Sequence, residues 1–346
     1  MSCCRFLVLN GVVTQTVEVP QVASFLENHP GAYTTTRTHN NGMCVLFWER
    51  HLNRLAESAR ILAESRPSFL FGPEKARASS SFLSRPLSSW ELVMRRGISD
   101  SLMKVLPISL KERNDGEELA ITTLVSGYSD NLEGDEKFSR SLDVYVHIGM
   151  YIPPLFGVTE NGAHLAVVGR GRDVAGAKFS EWVRIRKSLE NLRPPLANEL
   201  VLSNDGDRIL EGCLTNFFVV CRKENTFEVQ TAPLSDGVLP GIIRQLVIEV
   251  CLNRGIPCRE VAPRWSDREL WQEAFVTNGL RLVQHVETIE VPTGLWELLP
   301  IVKTWKEVNW EKKFFEEGPG ILTSEIQKEI MKRAELDGYS VSDLTR

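Results

Sequence analysis

The stretch Ile209 to Val220, ILEGCLTNFFVV, is apolar enough to be a buried strand, yet it carries Glu211. A carboxylate there must be exposed, paired or protonated, because a bare buried charge costs several kcal/mol. Alternation puts Ile209, Glu211 and Cys213 on one face and Leu210 and Gly212 on the other. The plain reading is an edge position or a salt bridge to an arginine. The chemical reading needs partners, and three stretches offer them. Asp236 to Leu246, DGVLPGIIRQL, is a glycine- and proline-rich turn that runs into a helix. Free N–H groups at a helix start bind phosphate. Arg54, in RHLNRL, is a cation on a helix just after a hairpin; alone it is a surface arginine. Lys178, in AGAKFSEW, follows a glycine-rich bend and precedes a helix. A deprotonated lysine amine is a nucleophile for carbonyl groups. Lys187 competes with it, but stands in an arginine-rich helix and reads as solvated.

The elements that must position these residues read as two α+β units. Phe6 to Val13 predicts a hairpin turning at Asn10-Gly11, and Asn40-Asn41-Gly42 separates the β-prone stretches GAYTTTRT and MCVLFW. Leu52, Leu55, Ala59 and Leu62 have helical spacing, and WELVMRRGISDSLMKVL is a second helix. ELAITTLVSGY and LDVYVHIGMYIPP are strands, with the polar Ser129 to Ser141 as an exposed insertion between them. Residues 66–90 read as an irregular crossing. We place an N-terminal domain at 1–155, a linker at 156–162 and a C-terminal domain at 163–346. In the second half, AKFSEWVRIRKSLENL is a helix, strands ELVLS, RILEG and LTNFFVVC follow, and Gly255 stops the helix GIIRQLVIEVCLNRG. Ser266 and Glu269 have the spacing of a capping box, and SEIQKEIMKRAEL is a last helix.

Composition narrows the partners. The chain has 346 residues, 42% hydrophobic, with a net charge of -5, so it is long enough for two cores and offers no basic face for nucleic acid. The six histidines are scattered, with no zinc-like spacing, so no metal is expected. Seven cysteines, mostly in apolar runs, read as reduced thiols in a cytoplasmic setting. No apolar run reaches the roughly 18 residues of a membrane span.

Together these stretches resemble the class IV aminotransferases, the fold-type IV pyridoxal-phosphate (PLP) enzymes. That family includes branched-chain aminotransferases, D-amino acid aminotransferases and aminodeoxychorismate lyases. FLVLNG and GAYTTTRT…LFWERHLNRLAESARIL resemble its opening strands and helix; LEGCLTNFFVV is similar to its E-x-x-x-x-N-x-F signature through Glu211, Asn216 and Phe218. GVLPGIIR and EAFVTN resemble its phosphate loop and the following strand. The resemblance implies an α+β fold with a smaller N-terminal α/β domain, a larger C-terminal barrel-like domain and PLP between them. It also implies a cytoplasmic homodimer that transfers an amino group between an amino acid, of branched-chain or D-amino acid type, and a 2-oxo acid. A PLP lyase of aminodeoxychorismate-lyase type and a non-catalytic relative are the alternatives.

Residue by residue, the resemblance makes Lys178 the Schiff-base lysine, 33 positions before Glu211. Glu211 would face the pyridine nitrogen, supported by Asn216 and Thr215. Arg54 would hold the phosphate with the N–H groups of Gly241 and Ile242. Tyr33 would line the substrate side, and Arg37, Arg95, Arg96 and Lys104 are candidates for the substrate carboxylate, with Arg37 and Arg95 put forward. The family commonly reads Gly-Ile-Thr and Thr-Gly-Thr at its phosphate anchors; this chain has Gly241-Ile242-Ile243 and Thr277-Asn278-Gly279. Two hydroxyl donors are therefore missing, at Ile243 and Gly279. Asn278, Thr277 and Arg244 are the possible substitutes.

Overall fold

The computed structural model describes residues 4–15, 19–72, 86–127, 142–224, 226–294, 296 and 304–344. The predicted insertion Ser129 to Ser141 and residues 73–85 of the predicted crossing lie outside the described residues. The chain divides into two compact units. One comprises Met1–Pro153, Ala177–Ile185 and Ala334–Arg346; the other comprises Pro154–Gly176 and Arg186–Arg333.

The first unit is built on an antiparallel sheet. Its strands are β1 (Arg5–Leu9), β2 (Val12–Gln15), β3 (Ala32–His39), β4 (Cys44–Val45), β5 (Glu118–Gly127) and β6 (Leu142–Tyr151). They lie in the order β4-β3-β5-β6-β1-β2, and the short strand Tyr339–Ser340 pairs outside β4. Asn10 and Gly11 both have positive φ, as the tight β1–β2 turn requires. Asn40, Asn41 and Gly42 do the same between β3 and β4. MCVLFW forms strand only at Cys44–Val45, because Phe47 turns left-handed and starts a helix. Helices α1 (Val22–Asn28), α2 (Trp48–Ser65), α3 (Pro67–Phe71) and α4 (Leu87–Lys111) accompany the sheet. The predicted stripe of α2 (Leu52, Leu55, Ala59 and Leu62) is buried. The second predicted helix is longer than its apolar pattern, and α4 runs on through the exposed Pro107.

The second unit contains a closed barrel. Strands β7 (Ala163–Gly169), β8 (Glu199–Ser203), β9 (Ile209–Gly212), β10 (Asn216–Lys223), β11 (Thr226–Thr231), β12 (Cys258–Glu260), β13 (Trp271–Asn278), β14 (Leu282–Thr293) and β15 (Asn309–Phe314) form one sheet. The run β10-β13-β14-β7-β8-β9 returns to β10, closing six strands. Val167, Val201, Ile209, Phe217, Val219, Val276 and Val286 belong to its core. The lysine-side helix is shorter than predicted: α5 (Glu181–Lys187) passes into a 3-10 turn, Ser188–Leu192. Helix α6 (Ile242–Arg254) ends at Gly255, whose φ of 67° gives the left-handed stop. The predicted last helix, α7 (Ile321–Leu336), starts three residues earlier than its sequence pattern, and a four-residue helix, Val341–Leu344, follows it.

Two local expectations are corrected. Ser266 does not cap a helix: Trp265–Leu270 is a 3-10 turn with no side-chain cap. Asp207 takes the Ser266 N–H instead, at 2.8 Å. Strict alternation also fails in β9. Its register against β8 slips between Leu202 and Ser203, so Glu211 opposes Leu202 while Ile209 opposes Ser203. Leu210 is the extra residue of a bulge. Ile209 joins the barrel core, whereas Leu210 packs with Ala232, Val238 and Ala262.

Candidate active site

The residues singled out by the sequence fall into two clusters, one in each unit. In the first, Lys178 is stitched to β3 through its backbone. Tyr33 N–H donates to Lys178 O at 2.9 Å, and Ser180 N–H donates to Gly31 O at 2.9 Å. Ala32 and Phe179 form an antiparallel bridge. Lys178 N–H donates to Ser58 Oγ at 3.0 Å. With the backbone held at these points, the amine stands 4.6 Å from the centre of the Tyr33 ring. Tyr33 itself packs with Phe25, Leu26, Leu124 and Val183.

One face of α2 supports this cluster. His51, Arg54 and Ser58 recur at three- and four-residue steps. Arg54 Nη2 donates to Thr34 Oγ1 at 2.7 Å, and that hydroxyl lies 2.7 Å from His51 Nδ1. Thr34 Oγ1 has two lone pairs and one proton, so it accepts from Arg54 and also bonds His51 Nδ1, whichever of the two supplies the hydrogen. The other ring nitrogen, Nε2, is buried without a hydrogen-bond partner. Burial holds His51 well below the usual histidine range, and the charges of Arg54 and Lys178 push the same way. Sequence reasoning passed over His51, although its spacing to Arg54 and Ser58 in RHLNRLAES was a usable signal.

In the second unit Glu211 is fully buried and fully paired. Arg172 reaches Oε1 with both Nε at 2.9 Å and Nη2 at 2.6 Å. Oε2 accepts from Leu239 N–H at 3.0 Å and from Asn216 Nδ2 at 3.2 Å. The salt bridge that the plain reading required is therefore present, and Arg172 is the partner the sequence did not identify. All four acceptor positions of the carboxylate are in use. Asn216 Nδ2 also donates to Leu239 O at 2.9 Å, which fastens the 239–241 loop to the strand. Gly241 must be glycine there, since a Cβ would sit 2.0 Å from Asn216 Oδ1.

A second buried carboxylate braces the turn between β9 and β10. Glu199 accepts from Leu214 N–H at 3.0 Å, Thr215 Oγ1 at 3.4 Å and Arg281 Nη2 at 2.9 Å. Neither Glu199 nor Arg281 was legible as a pair, being 82 residues apart. Across the sheet, Glu211 opposes Asn216 and Asn216 opposes Thr277, so the three form a row on one face.

The remaining candidates are placed as follows. Ile242 and Ile243 occupy the first turn of α6, where a helix has no carbonyl partners for its N–H groups. Gly279 lies in the turn from β13 to β14. Asn278 caps that turn with its own side chain, Oδ1 accepting from Leu280 N–H at 3.0 Å and Arg281 N–H at 2.8 Å. Arg37 is buried, with Nη1 donating to Thr38 O at 3.0 Å. Arg95 is at the surface and forks onto Glu49 at 2.8 and 2.6 Å.

Fold and residues define a class: a two-unit α+β protein with a closed six-stranded barrel, a strand-anchored lysine and a buried, paired carboxylate. The chain belongs to the amino-transferase class IV family, whose model matches residues 98–289. It is similar to a branched-chain aminotransferase from the thermophilic archaeon Thermoproteus uzoniensis, solved with norvaline. That likeness has 19% identity and a TM-score of 0.63, covering 98% of this chain and 99% of that one. It is also similar to a hypothetical aminotransferase from Mycobacterium tuberculosis in its PLP-bound form, with 15% identity and a TM-score of 0.62, covering 96% and 99%. A fold IV-transaminase from Curtobacterium pusillum gives 16% identity and a TM-score of 0.56 over 94% of this chain and 99% of that one. No curated protein matches the chain by sequence. Among the described residues, no helix is long and apolar enough to cross a membrane.

Proposed function

We propose that the chain is a PLP-dependent aminotransferase acting on an amino acid and a 2-oxo acid. The observation that carries this reading is Lys178, its backbone held at β3 and α2 and its amine set over the Tyr33 ring. The residues suit the cofactor on two further grounds. The start of α6 has N–H groups ready for an anion, and Thr277 Oγ1 is a buried hydroxyl with no hydrogen-bond partner. When bound, PLP supplies an electron sink for the electrons left at a substrate Cα.

In this reading Lys178 holds the cofactor and moves the proton at Cα. Arg54, oriented by Thr34 and His51, is the phosphate ligand proposed in the first unit, and Gly241, Ile242 and Ile243 are those proposed in the second. Glu211 stabilises positive charge on the ring nitrogen. To face that nitrogen it must release one of its four hydrogen bonds. The Asn216 bond is the longest at 3.2 Å, and the same Nδ2 keeps Leu239 O as an acceptor. The apolar cluster around Tyr33 favours an apolar, branched-chain type of side chain over a charged one. We assign the substrate carboxylate to Arg37 rather than Arg95, which Glu49 already occupies. Homodimeric assembly and a cytoplasmic setting belong to the same proposal, as do small-molecule partners with no nucleic acid and no membrane.

A non-catalytic relative is the second reading. Ile243 and Gly279 in place of hydroxyl residues favour it, together with an Asn278 side chain spent on its own turn. The test is borohydride reduction of PLP-treated protein, followed by peptide mapping and a panel of amino donors. The proposal expects one modified peptide, containing Lys178, no modification in Lys178→Ala, and release of one oxo acid per bound PLP with a donor alone, with further turnover only when an amino acceptor is present. Modification at Lys187 or elsewhere would sink the assignment. Modification at Lys178 with no donor converted would favour the second reading, and repeated turnover without an acceptor would favour a lyase.

A further inference from the structure

Three side chains could replace the phosphate hydroxyls that Ile243 and Gly279 lack, and the structure separates them. Asn278 is withdrawn, because its Oδ1 caps Leu280 N–H and Arg281 N–H. The Arg244 guanidinium is drawn away by Ala232 O at 2.8 Å and Glu260 Oε2 at 2.6 Å, both through Nη2. Thr277 is different. Its residue is 1% exposed, and its hydroxyl has no hydrogen-bond partner. A buried hydroxyl left bare costs about 1–3 kcal/mol, so such an atom calls for an acceptor.

Its position says which acceptor. Thr277 stands directly opposite Asn216, so the two side chains leave the sheet on the same face. The Asn216 side chain lies against Gly241, the residue that precedes the first turn of α6. The orphan hydroxyl thus shares a face with a helix start whose N–H groups also lack partners. A group with several acceptor oxygens satisfies both, and a helix start favours one that also carries negative charge.

We propose that Thr277 is a phosphate-anchoring residue, taking over from positions 243 and 279. This rests on the aminotransferase reading for the identity of the ligand, but not for the presence of an anion site. Dissociation constants for PLP, pyridoxal and inorganic phosphate, measured by calorimetry on wild type, Thr277→Val and Thr277→Ser, test it. Valine preserves the shape and removes the hydroxyl, and its thermal midpoint checks that the protein is folded. Thr277→Val is expected to weaken PLP and inorganic phosphate by about tenfold or more, the loss of one hydrogen bond to a charged group. Pyridoxal, which has no phosphate, should change by less than about twofold, and Thr277→Ser should recover most of the loss, as a retained donor requires. Equal losses for PLP and pyridoxal, or no loss in either Thr277 variant, would overturn the proposal. Thr277-dependent binding of inorganic phosphate without PLP binding would sink the aminotransferase reading and leave the anion site standing. PLP binding that ignores Thr277 would do the reverse, and binding of none of the three ligands would sink both.

Discussion

His51 is the residue whose environment is most at odds with its chemistry. Within its buried hydrogen-bonded pair it is neutral, and two cations act on it. An unfolded histidine titrates near ~6.5. Its folded value is depressed, so the neutral ring costs nothing above that pH. As pH falls below ~6.5, the unfolded chain binds a proton that folded His51 refuses, and stability is lost until the folded value is passed. His51→Gln should remove up to one proton from the linkage, about 1.4 kcal/mol per pH unit between pH ~6.5 and ~5. His39 and His147 are also lowered by burial, so the slope shrinks rather than vanishes. Denaturant titrations of wild type and variant across that range decide the matter, and identical slopes would mean that His51 takes up its proton in the fold. The same residue-level logic explains Arg172. A carboxylate in an apolar strand demanded a partner, but nothing local to ILEGCLTNFFVV named one 39 residues away.

At the scale of elements, ends are governed by groups from elsewhere in the chain. Helix α7 begins at Ile321 because Glu273, on β13, takes its orphan donors. Leu322 N–H donates to Oε1 at 3.1 Å, Thr323 N–H to Oε2 at 2.8 Å, and Thr323 Oγ1 to the same oxygen at 2.7 Å. Gly320 lets the carboxylate approach, since a Cβ there would fall 2.0 Å from Glu273 Cδ. This is an N-cap supplied from 50 residues away. Glu273→Ala should cost about 1–2 kcal/mol, the upper range for lost caps, with amide exchange rising first at Leu322 and Thr323. Unchanged exchange there would show that water replaces the cap at no cost. Asp207 plays the corresponding role for Trp265–Leu270, which explains why the Ser266–Glu269 spacing produced no capping box.

For the whole molecule, the chain leaves and re-enters its first unit. Ala177–Ile185 joins it beside β3, and Ala334–Arg346 returns to it at the end. There Tyr339 pairs with Val45, Ser340 pairs with Cys44, and Val341 N–H donates to Met43 O at 3.0 Å. Val341 and Leu344 are buried. Deleting 334–346 uncovers the β4 edge and removes two buried aliphatic side chains, each worth about 1.5–3 kcal/mol. The truncated chain should lose at least about 3 kcal/mol, with amide exchange accelerated across β3 and β4. Full stability after the deletion would show that the returning segment is dispensable.

Local chemistry was enough for several features. The Leu52-Leu55-Ala59-Leu62 stripe, the Asn10-Gly11 and Asn40-Asn41-Gly42 turns and the Gly255 stop follow from backbone preferences within a few residues, and they occur where the sequence put them. Residue types also marked Glu211 and Lys178 as chemically unusual. Tertiary structure decided what those residues touch. The bulge at Leu210 separated Glu211 from Ile209, because register belongs to a pair of strands and not to one. The pairing of Arg172 with Glu211, the capture of Leu280 and Arg281 N–H by Asn278, and the bare hydroxyl of Thr277 all depend on which strands and loops meet. A hydrogen bond acts over about 3 Å and is indifferent to distance along the chain, so periodicity and propensity, which are local, carry no record of it.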